Sequence, residues 1–305
     1  MTPKIKKTAL TGRVVTPVLK NGCWVCGGKD LNLFRKSKIK TGLTAQCFSI
    51  TDNHYGETSA IYRCSSCDFR MCLEIGDPLN FYKDLVDEQY EMEAENRFLQ
   101  ASQILKVVRR FKPEGRLLDV GAASGIFVSQ AIKMGYSAEG IDPSDWLCEQ
   151  AGKRQVKVYK GVLPHPDIQN PYDIVMAIDV IEHVPKPLSF LKDITEVLAD
   201  DGIAVIVAPN VKSLAAKIFG RHWWHYRVAH IGYFDKSTLN FVLKEAGLQP
   251  IFYGYPTWYF GLNLLIERIN IYLPKFLQIK RRKFFEGITV PLNLYDSIFL
   301  IARKI

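Results

Sequence analysis

An apolar run is followed by small residues in the segment Leu117-Leu118-Asp119-Val120-Gly121-Ala122-Ala123-Ser124-Gly125-Ile126-Phe127. This pattern predicts a buried strand that turns sharply into a helix. Gly121 and Gly125 let the backbone approach a ligand closely, and the start of a helix offers free N–H groups. Asp119, at the strand end, can accept hydrogen bonds from an amino-bearing or cationic ligand. We therefore predict a nucleotide-like cofactor at this turn.

The spacing of the small residues argues against a dinucleotide motif, since Ala123 and Ile126 stand where G-x-G-x-x-G requires its second and third glycines. The stretch instead resembles the first motif of class I S-adenosylmethionine-dependent methyltransferases, with an alanine at the middle glycine position. The resemblance implies that the cofactor is bound by Asp119, Gly121, Ala123 and Gly125. Taken alone, the stretch could also be an ordinary strand–helix turn.

Later motifs follow at the intervals expected of that family. A second short strand, residues 138–144, places Asp142 about 23 residues after Asp119. A carboxylate there can accept hydrogen bonds from both ribose hydroxyls, although Asp142 could also cap the next helix. By the same resemblance, the end of a third strand would face the adenine, at Gly161, Val162 and Leu163. Residues 172–177 open a fourth strand.

Length and composition fit a globular enzyme. The chain has 305 residues, of which 48% are hydrophobic, enough for a large core in one domain or two. The net charge of +9 favours acidic partners such as phosphates, acidic glycans or membrane surfaces. Lys4, Lys6 and Lys7 are not followed by a signal-peptide core, and no apolar run reaches membrane-spanning length. We expect a cytoplasmic protein.

Four of the seven cysteines form two C-x-x-C pairs: Cys23 with Cys26, and Cys64 with Cys67. Each pair puts two thiolates on a tight turn, and two pairs complete the tetrahedral sulfur shell of a structural zinc ion. We predict a zinc-ribbon-like module with an inserted loop of 37 residues between the pairs. The alternative is a degenerate ribbon with metal-free thiols. We interpret the others as ordinary buried thiols: Cys47, Cys72 and Cys148.

A cysteine module, a connecting helix and a methyltransferase core resemble bacterial methyltransferases of polysaccharide, natural-product and sugar pathways, over roughly residues 20–250. The resemblance implies that the module packs beside the cofactor domain and helps to shape a substrate cleft. A ribbon could also bind nucleic acid. We expect no such partner, because the basic run lacks interleaved aromatic residues and fits a solvated loop: Arg35, Lys36, Lys38 and Lys40.

The chain is predicted to divide into four parts. These are the zinc-ribbon-like module (1–80), a linking helix (81–113), the S-adenosylmethionine-binding domain (114–254, with a substrate loop at about 209–235) and a C-terminal segment (255–305). Apolar residues at helical spacing predict the linking helix, which Pro113 and Gly115 end. Alternating strands and helices then predict an α/β fold with a Rossmann-like, doubly wound, mostly parallel sheet.

Residues 177–185 follow the fourth strand, at the edge where open α/β sheets bind ligands. They carry two carboxylates and an imidazole: Asp179, Glu182 and His183. Resemblance to ubiquinone-pathway O-methyltransferases and small-RNA terminal methyltransferases implies that this set, with His230, holds Mg²⁺ or Mn²⁺ near a substrate hydroxyl. Alternatively, His183 is a general base, or Glu182 and His183 merely begin a helix.

Two regions are candidates for substrate and partner contacts. The loop after strand five mixes aromatic, Arg and His side chains that could hold a sugar or ring bearing an acidic group, or pack as a lid: Trp223, Trp224, His225, Arg227 and His230. Residues 259–285 are amphipathic and contain the basic run 280–283, which suits an anionic membrane surface at the inner face. Core packing is the alternative there. Residues 298–302 predict a last strand.

These observations predict an S-adenosylmethionine-dependent methyltransferase that modifies the oxygen or carbon of a small-molecule, sugar or lipid-linked glycan acceptor. The acids Asp119 and Asp142 favour this over a zinc-ribbon binding or scaffold protein. An RNA methyltransferase is a further alternative, and a nicotinamide oxidoreductase ranks last.

Overall fold

The computed structural model of the protein describes residues 22–39 and 42–305. Its strands are β1 (Leu31–Arg35), β2 (Ile61–Cys64), β3 (Arg70–Cys72), β4 (Arg116–Val120), β5 (Ser137–Asp142), β6 (Val158–Lys160), β7 (Tyr172–Ile178), β8 (Leu198–Pro209), β9 (Gly232–Tyr233), β10 (Leu248–Gly254), β11 (Trp258–Gly261), β12 (Thr289–Leu292) and β13 (Ser297–Lys304). Its α-helices are α1 (Leu79–Lys83), α2 (Glu88–Met92), α3 (Ala94–Val108), α4 (Ile126–Lys133), α5 (Asp145–Lys153), α6 (Pro187–Val197), α7 (Leu214–Phe219), α8 (Lys236–Glu245) and α9 (Leu262–Asn270). Interpretations that rest on Lys4, Lys6, Lys7 and Lys40, and on residues 1–21 of the N-terminal module, lie outside the described residues.

Seven of the described strands form the central sheet, in the spatial order β6-β5-β4-β7-β8-β13-β10. Neighbours from β6 to β8 run parallel, whereas β13 is antiparallel to both β8 and β10. The chain runs outward from β4 to β6 and returns to β7 on the other side of β4, which creates a topological switch point. The predicted Rossmann-like, doubly wound, mostly parallel sheet is confirmed. The last strand, predicted at residues 298–302, is β13.

Helices cover both faces of this sheet, which explains why its inner strands are apolar along most of their length. One face packs against α3, with the core residues Leu105, Leu117, Ile174, Met176 and Val205. The other packs against α6 and α8, with the core residues Leu118, Val175, Ile194, Ile206 and Val242. Because the strand interiors are buried, ligand-binding side chains must come from the strand ends and the loops that follow them.

The linking helix predicted over residues 81–113 needs correction, because the structure places α1, α2 and α3 in and around this range. The carboxylate of Asp87 accepts hydrogen bonds from the N–H groups of Tyr90 and Thr51. A side chain that binds backbone N–H groups in this way begins a new helix. The resulting turns bring Tyr82 and Tyr90 to the wall of a cavity.

A smaller sheet joins the N-terminal part of the chain to the loop that follows β8. Its strand order is β1-β2-β3-β9, with all neighbours antiparallel. β9 lies within the predicted substrate loop at about 209–235, and the N–H of Cys72 donates to the carbonyl of Ile231 at 2.8 Å. The cysteine-bearing strands and this loop are therefore held together by backbone hydrogen bonds.

The C-terminal part contains a second small sheet, a helix and the last central strand. β11 pairs antiparallel with β12, and α9 follows β11 directly. α9 buries Leu264 and Ile266, so part of residues 259–285 packs as a core element. In the described ranges, no helix has the length and apolar character needed to cross a membrane.

Candidate functional site

A cavity of about 620 Å³ opens where β4, β5 and β7 end, beside the switch point. We call the part near β4, β5 and β6 the cofactor end, and the part lined by His183, the substrate loop and the C-terminal segment the acceptor end. Aromatic side chains line the acceptor end, including Phe48, Tyr55, Trp224, Tyr259 and Phe260. The location is the one expected for a ligand of an open α/β sheet.

Asp142 ties the turn after β4 to the end of β5. Its two carboxylate oxygens accept the N–H of Ala123 at 2.8 Å and that of Ser144 at 2.9 Å. Burial raises the pKa of Asp142 to about 6, and these two hydrogen bonds counteract that rise. Its remaining lone pairs can accept ribose hydroxyls. The capping role considered for Asp142 belongs to Ser144, whose Oγ accepts the N–H of Leu147 at the start of α5.

Asp119 lines the cavity at the end of β4 and is 3% exposed. Burial, with a smaller contribution from the charge of Asp142, raises the pKa of Asp119 to about 8. No hydrogen bond from a described residue contributes to this pKa. An amino or cationic group placed beside it would favour the carboxylate form. The site therefore fits the cofactor contact implied by the methyltransferase resemblance.

Each position of the turn after β4 requires a small residue for a different reason. Gly121, with φ +76°, lines the cavity, and an added Cβ would lie 2.6 Å from Val180 Cγ2. Ala123 also lines the cavity and has φ +47°, a left-handed conformation in which its N–H reaches Asp142. Gly125 is not among the lining residues, and its Cβ would meet Val156 Cγ2 at 2.5 Å. The structure thus gives Gly125 a packing role. The third-strand residues line the cavity as predicted: Gly161, Val162 and Leu163.

At the acceptor end, side chains distant in sequence come together as a pocket cluster, which consists of Glu182, His183 and His230. One potential ligand atom from each lies within 4.8 Å of the others. Both carboxylate oxygens of Glu182 and Nδ1 of His230 are buried and have no hydrogen-bond partner among the described residues. Asp179 lines the cavity with a buried, unpartnered Oδ1, but it is not part of this group. The structure therefore gathers three of the four predicted ion ligands.

The pocket cluster is assembled by a backbone contact between two loops. Glu182 and His183 lie in the short 3₁₀ helix Ile181–His183, and the N–H of Ile231 donates to the carbonyl of Glu182 at 2.9 Å. The predicted helix start is therefore a single 3₁₀ turn. The contact brings His230 to His183, with 4.8 Å between their ring centroids.

The hydrogen bonds of His183 fix its tautomer. Its Nδ1 lies 2.8 Å from the carbonyl oxygen of Ala229 and 2.6 Å from the hydroxyl of Tyr82. Because a carbonyl can only accept, Nδ1 carries the proton, and the Nε2 lone pair is 3.9 Å from Glu182 Oε1. Burial lowers the pKa of His183 to about 3, and the positive charge of Arg227 acts in the same direction. Such a neutral imidazole is a good metal ligand and a weak general base.

Residues 92–251, more than half of the chain, match the protein family described as a methyltransferase domain. The chain belongs to this methyltransferase family. The predicted class of enzyme, an S-adenosylmethionine-dependent methyltransferase, is confirmed in preference to a scaffold protein or a nicotinamide oxidoreductase.

Curated relatives resemble the methyltransferase over its central part. It is 26% identical over 150 residues to a ubiquinone biosynthesis O-methyltransferase of Ruegeria sp. (strain TM1040), which covers 45% of this chain and 61% of that protein. It is 24% identical over 189 residues to a protein of the same name from Maricaulis maris (strain MCS10), covering 56% of this chain and 68% of that protein. The chain thus spans about three fifths of the length of the Ruegeria relative. Magnesium protoporphyrin IX methyltransferase from Synechocystis PCC 6803, solved with bound S-adenosylhomocysteine, aligns with a TM-score of 0.46 and 13% identity, covering 70% of this chain and 84% of that one.

The predicted substrate residues of the methyltransferase divide into two groups. Four of them line the cavity: Trp224, His225, Arg227 and His230. Trp223 does not, because its ring is fully buried and its Nε1 donates to Asp296 Oδ2 at 3.2 Å. The assignment of Trp223 to the substrate is therefore corrected to a core role. Asp296 also lies 3.3 Å from His225 Nε2.

The four cysteines of the two C-x-x-C pairs form a second cluster, the cysteine cluster. One sulfur from each lies within 4.8 Å of the others, with 3.5 Å between Cys23 and Cys67 and 3.6 Å between Cys26 and Cys64. Tetrahedral zinc with Zn–S bonds of about 2.3 Å places sulfurs about 3.8 Å apart. Gly28 fits closely, since a Cβ there would lie 3.2 Å from Cys64 Sγ. The arrangement fits zinc.

The remaining cysteines lie outside the cysteine cluster. Cys72 is a buried thiol, as predicted. Cys47 and Cys148 are partly exposed, so their interpretation as buried thiols is corrected.

Sequence reasoning missed several cavity residues. Tyr82, Tyr90 and Arg97 lie in the stretch that was interpreted as a linker, and Arg268 lies in the segment considered for membrane contact. Both arginines have an acidic neighbour in the sequence, Glu95 before Arg97 and Glu267 before Arg268, a pattern that is also expected of residues facing solvent.

Proposed function

We propose that the methyltransferase transfers a methyl group to a hydroxyl oxygen of an acceptor held at the acceptor end of the cavity. One observation carries the proposal. His183 and His230 line the same cavity as Asp119 and Asp142, and a carboxylate oxygen of Glu182, which has no hydrogen-bond partner among the described residues, lies within 4.8 Å of a ring nitrogen of each histidine. The names of the Ruegeria and Maricaulis relatives, both O-methyltransferases, support oxygen as the acceptor atom.

The residues of the cofactor end fit S-adenosylmethionine. Asp142 would accept the ribose hydroxyls, Asp119 would lie near the amino-bearing end, and the adenine would lie against residues 161–163. When bound, S-adenosylmethionine supplies an electrophilic methyl group on a sulfonium. The turn after β4 orients the cofactor, and the surrounding apolar side chains exclude water from the reacting atoms.

The pocket cluster fits a divalent cation. One carboxylate and two imidazoles give mixed oxygen and nitrogen donors, and a fixed Nδ1–H on His183 leaves its Nε2 free to coordinate. Burial raises the pKa of Glu182 well above its ordinary value, so an uncompensated carboxylate there is costly. Mg²⁺ or Mn²⁺ bound here would lower the pKa of an acceptor hydroxyl. We propose this role over general-base catalysis by His183.

We also propose that the cysteine cluster holds one structural zinc ion. Four sulfurs leave no position for a substrate, so the ion would stabilise the fold around it without taking part in methyl transfer.

The aromatic lining of the acceptor end suits a ring, a sugar or the first units of a lipid chain. To test the proposal, the enzyme and S-[methyl-²H₃]adenosylmethionine are incubated with aromatic, sugar and lipid acceptors. Each acceptor is supplied in matched forms that carry a hydroxyl, an amine or a thiol at the same position. The labelled methyl group should be located on oxygen by NMR. Labelling on nitrogen, sulfur or carbon alone would reject an O-methyltransferase.

A His230→Ala variant should lose labelling while retaining S-adenosylhomocysteine binding. His222→Ala is the matched control, because His222 is exposed and does not line the cavity. Equal activity of the two variants would remove His230 from the acceptor site.

A further inference from the structure

Three arginines from distant parts of the chain line the same cavity. Arg97 lies on α3, Arg227 in the substrate loop and Arg268 on α9. The Nε atom of each is buried and has no hydrogen-bond partner within the described ranges. None of the three forms a salt bridge with a described residue. We call this set the arginine cluster.

The arginines are held by rings and carbonyl groups. Arg97 stacks on the Tyr90 ring at 3.8 Å, and Arg268 lies 5.1 Å from the Phe260 ring centroid. Arg227 donates to the carbonyl oxygens of residues 49, 50 and 52 at 3.0 to 3.4 Å. These contacts fix the guanidinium groups without an ion pair, although the charges of Arg97 and Arg227 also act on the buried carboxyl group of Asp179.

The charges of the other two arginines act on Arg268. Burial lowers the pKa of Arg268, and the positive charges of Arg97 and Arg227 lower it further. A nearby acid, Glu93, is already engaged by the side chain of Asn96 and the N–H of Gly261. Partly buried guanidinium groups that form no ion pair with a described residue are unfavourable, and an anion with charge-assisted hydrogen bonds would offset that cost.

We propose that the arginine cluster binds an anionic group of the acceptor, a phosphate or a carboxylate. The proposal rests on the proposed function insofar as the acceptor occupies this cavity. It adds a chemical requirement that the pocket cluster does not impose, because the acceptor must carry a negative charge as well as a hydroxyl.

The test uses calorimetric titration of pyrophosphate and of malonate into enzyme saturated with S-adenosylhomocysteine. At least one anion should bind, and the stronger of the two identifies phosphate or carboxylate recognition. Arg268→Gln should weaken binding about 10- to 100-fold, with a smaller loss in Arg268→Lys. Arg110→Gln should have no effect, because Arg110 is exposed beyond the end of α3.

Two results would overturn this proposal: no binding of either anion to the wild type, or equal binding by the Arg268→Gln and Arg110→Gln variants. The affinity of each variant for S-adenosylhomocysteine reports whether that variant is folded. If Arg268→Gln does not fold, Arg97→Gln is tested in its place. No methyl transfer is measured. The result therefore does not depend on whether the methyl group is transferred to oxygen, and failure of the proposed function can be distinguished from failure of the anion site.

A second surface, independent of the cavity, combines exposed apolar and basic side chains. We call it the apolar-basic face, and its apolar members are Leu214, Ile218, Phe276, Leu277, Ile279 and Phe284. Phe276 is 84% exposed and Phe284 is 81% exposed. α7, which carries Leu214 and Ile218, contacts the segment that follows α9 through the rings of Phe219 and Tyr272, whose centroids are 5.9 Å apart. Exposed basic residues adjoin Phe276, Ile279 and Phe284 in the sequence: Lys275, Lys280, Arg281, Arg282 and Lys283.

From this face we infer peripheral docking on an anionic lipid bilayer. Exposed aromatic and aliphatic side chains can enter the interfacial region while neighbouring lysines and arginines bind acidic headgroups. The face continues into α9, whose Leu264 and Arg268 line the cavity, so docking would place the acceptor end near the lipid.

Vesicle co-sedimentation tests the docking. Vesicles containing phosphatidylglycerol should bind the wild type, and pure phosphatidylcholine vesicles should bind it weakly. The double variant Phe276→Ser/Phe284→Ser should lose binding, whereas Phe241→Ser should retain it, since Phe241 is an exposed phenylalanine on α8. Equal binding by both variants would overturn the inference. A wild-type dimer that becomes monomeric in the double variant, without vesicle binding, would instead identify a subunit interface.

Discussion

The cysteine cluster and the pocket cluster are both groups of potential metal ligands, but they differ in chemistry and construction. The cysteine cluster is made only of sulfur and built from two short C-x-x-C turns. The pocket cluster mixes oxygen and nitrogen and joins Glu182 and His183 to the distant His230. Its buried oxygen and nitrogen atoms on Glu182 and His230 have no hydrogen-bond partner in the part of the chain that the structure describes. The first is suited to hold a structure together, and the second to act on a ligand.

Backbone hydrogen bonds connect the regions that carry the two clusters. The strand β3 that follows the second cysteine pair bonds to β9, which begins just after His230. Ile231 accepts the N–H of Cys72 and donates its own N–H to Glu182, so one residue links both regions. Loss of the cysteine cluster should therefore disturb the pocket cluster, whereas loss of a pocket ligand should leave the cysteine cluster intact.

The largest effect is expected for Cys64→Ser. Structural zinc contributes about 10–16 kcal/mol in small zinc modules, so the variant should lose its metal, unfold around β1–β3 and lose methyl transfer. Zinc content and hydrogen exchange of residues 61–72 measure these effects.

Cys47→Ser is the matched control, since Cys47 lies outside the cysteine cluster. A Cys64→Ser protein that keeps one zinc per chain would show that these sulfurs do not hold the ion.

The next largest effect is expected for Glu182→Gln. Removing the carboxylate charge should reduce turnover by about 10²- to 10⁴-fold, because the cation and the acceptor hydroxyl would no longer be held. Zinc content and S-adenosylhomocysteine affinity should not change.

The variant His183→Ala tests whether the 3₁₀ turn that carries Glu182 and His183 has a catalytic role. Near-normal turnover on the true acceptor would mean that Glu182 and His183 are a structural turn, and that positioning of the methyl donor supplies most of the rate. Loss of zinc from either variant would contradict the expectation that the cysteine cluster stays intact when a pocket ligand is removed.

A smaller effect is expected for Asp142→Ala at the cofactor end. Losing a charge-assisted ribose contact should weaken cofactor binding by about 1.5–3 kcal/mol. Asp145→Ala serves as the control, because Asp145 is exposed on α5 and pairs with Lys160. Calorimetry should separate the two variants. Unchanged affinity in Asp142→Ala would reject the ribose assignment.

The smallest effect is a release of protons on cofactor binding. Because the pKa of Asp119 is raised to about 8 in the free protein, its carboxyl group is mostly protonated at pH 7. A cofactor amino group beside it would lower that pKa, so binding should release up to about one proton. Titrations in buffers of different ionisation enthalpy measure this number. Asp119→Asn should abolish the release, and proton uptake by the wild type would contradict the predicted sign.

Local sequence was sufficient where function depends on short-range geometry. The turn at residues 117–127, Asp142 and the C-x-x-C pairs could be found because spacing alone places those groups. Trp223 could not be assigned correctly, since the acceptor of its Nε1–H in the core is Asp296, 73 residues away. Of the arginine cluster, only Arg227 was predicted from sequence, because Arg97 and Arg268 reach the cavity from two other elements that are distant in the chain.

The separate roles of the two clusters can be tested by treating the enzyme with a mild chelator and measuring zinc content and methyl transfer in the same sample. We predict that activity is lost, that one zinc per chain remains, and that Mg²⁺ or Mn²⁺ restores activity. Full activity in the chelator, or a loss that follows zinc release and is not restored by Mg²⁺ or Mn²⁺, would contradict the separate roles of the two clusters.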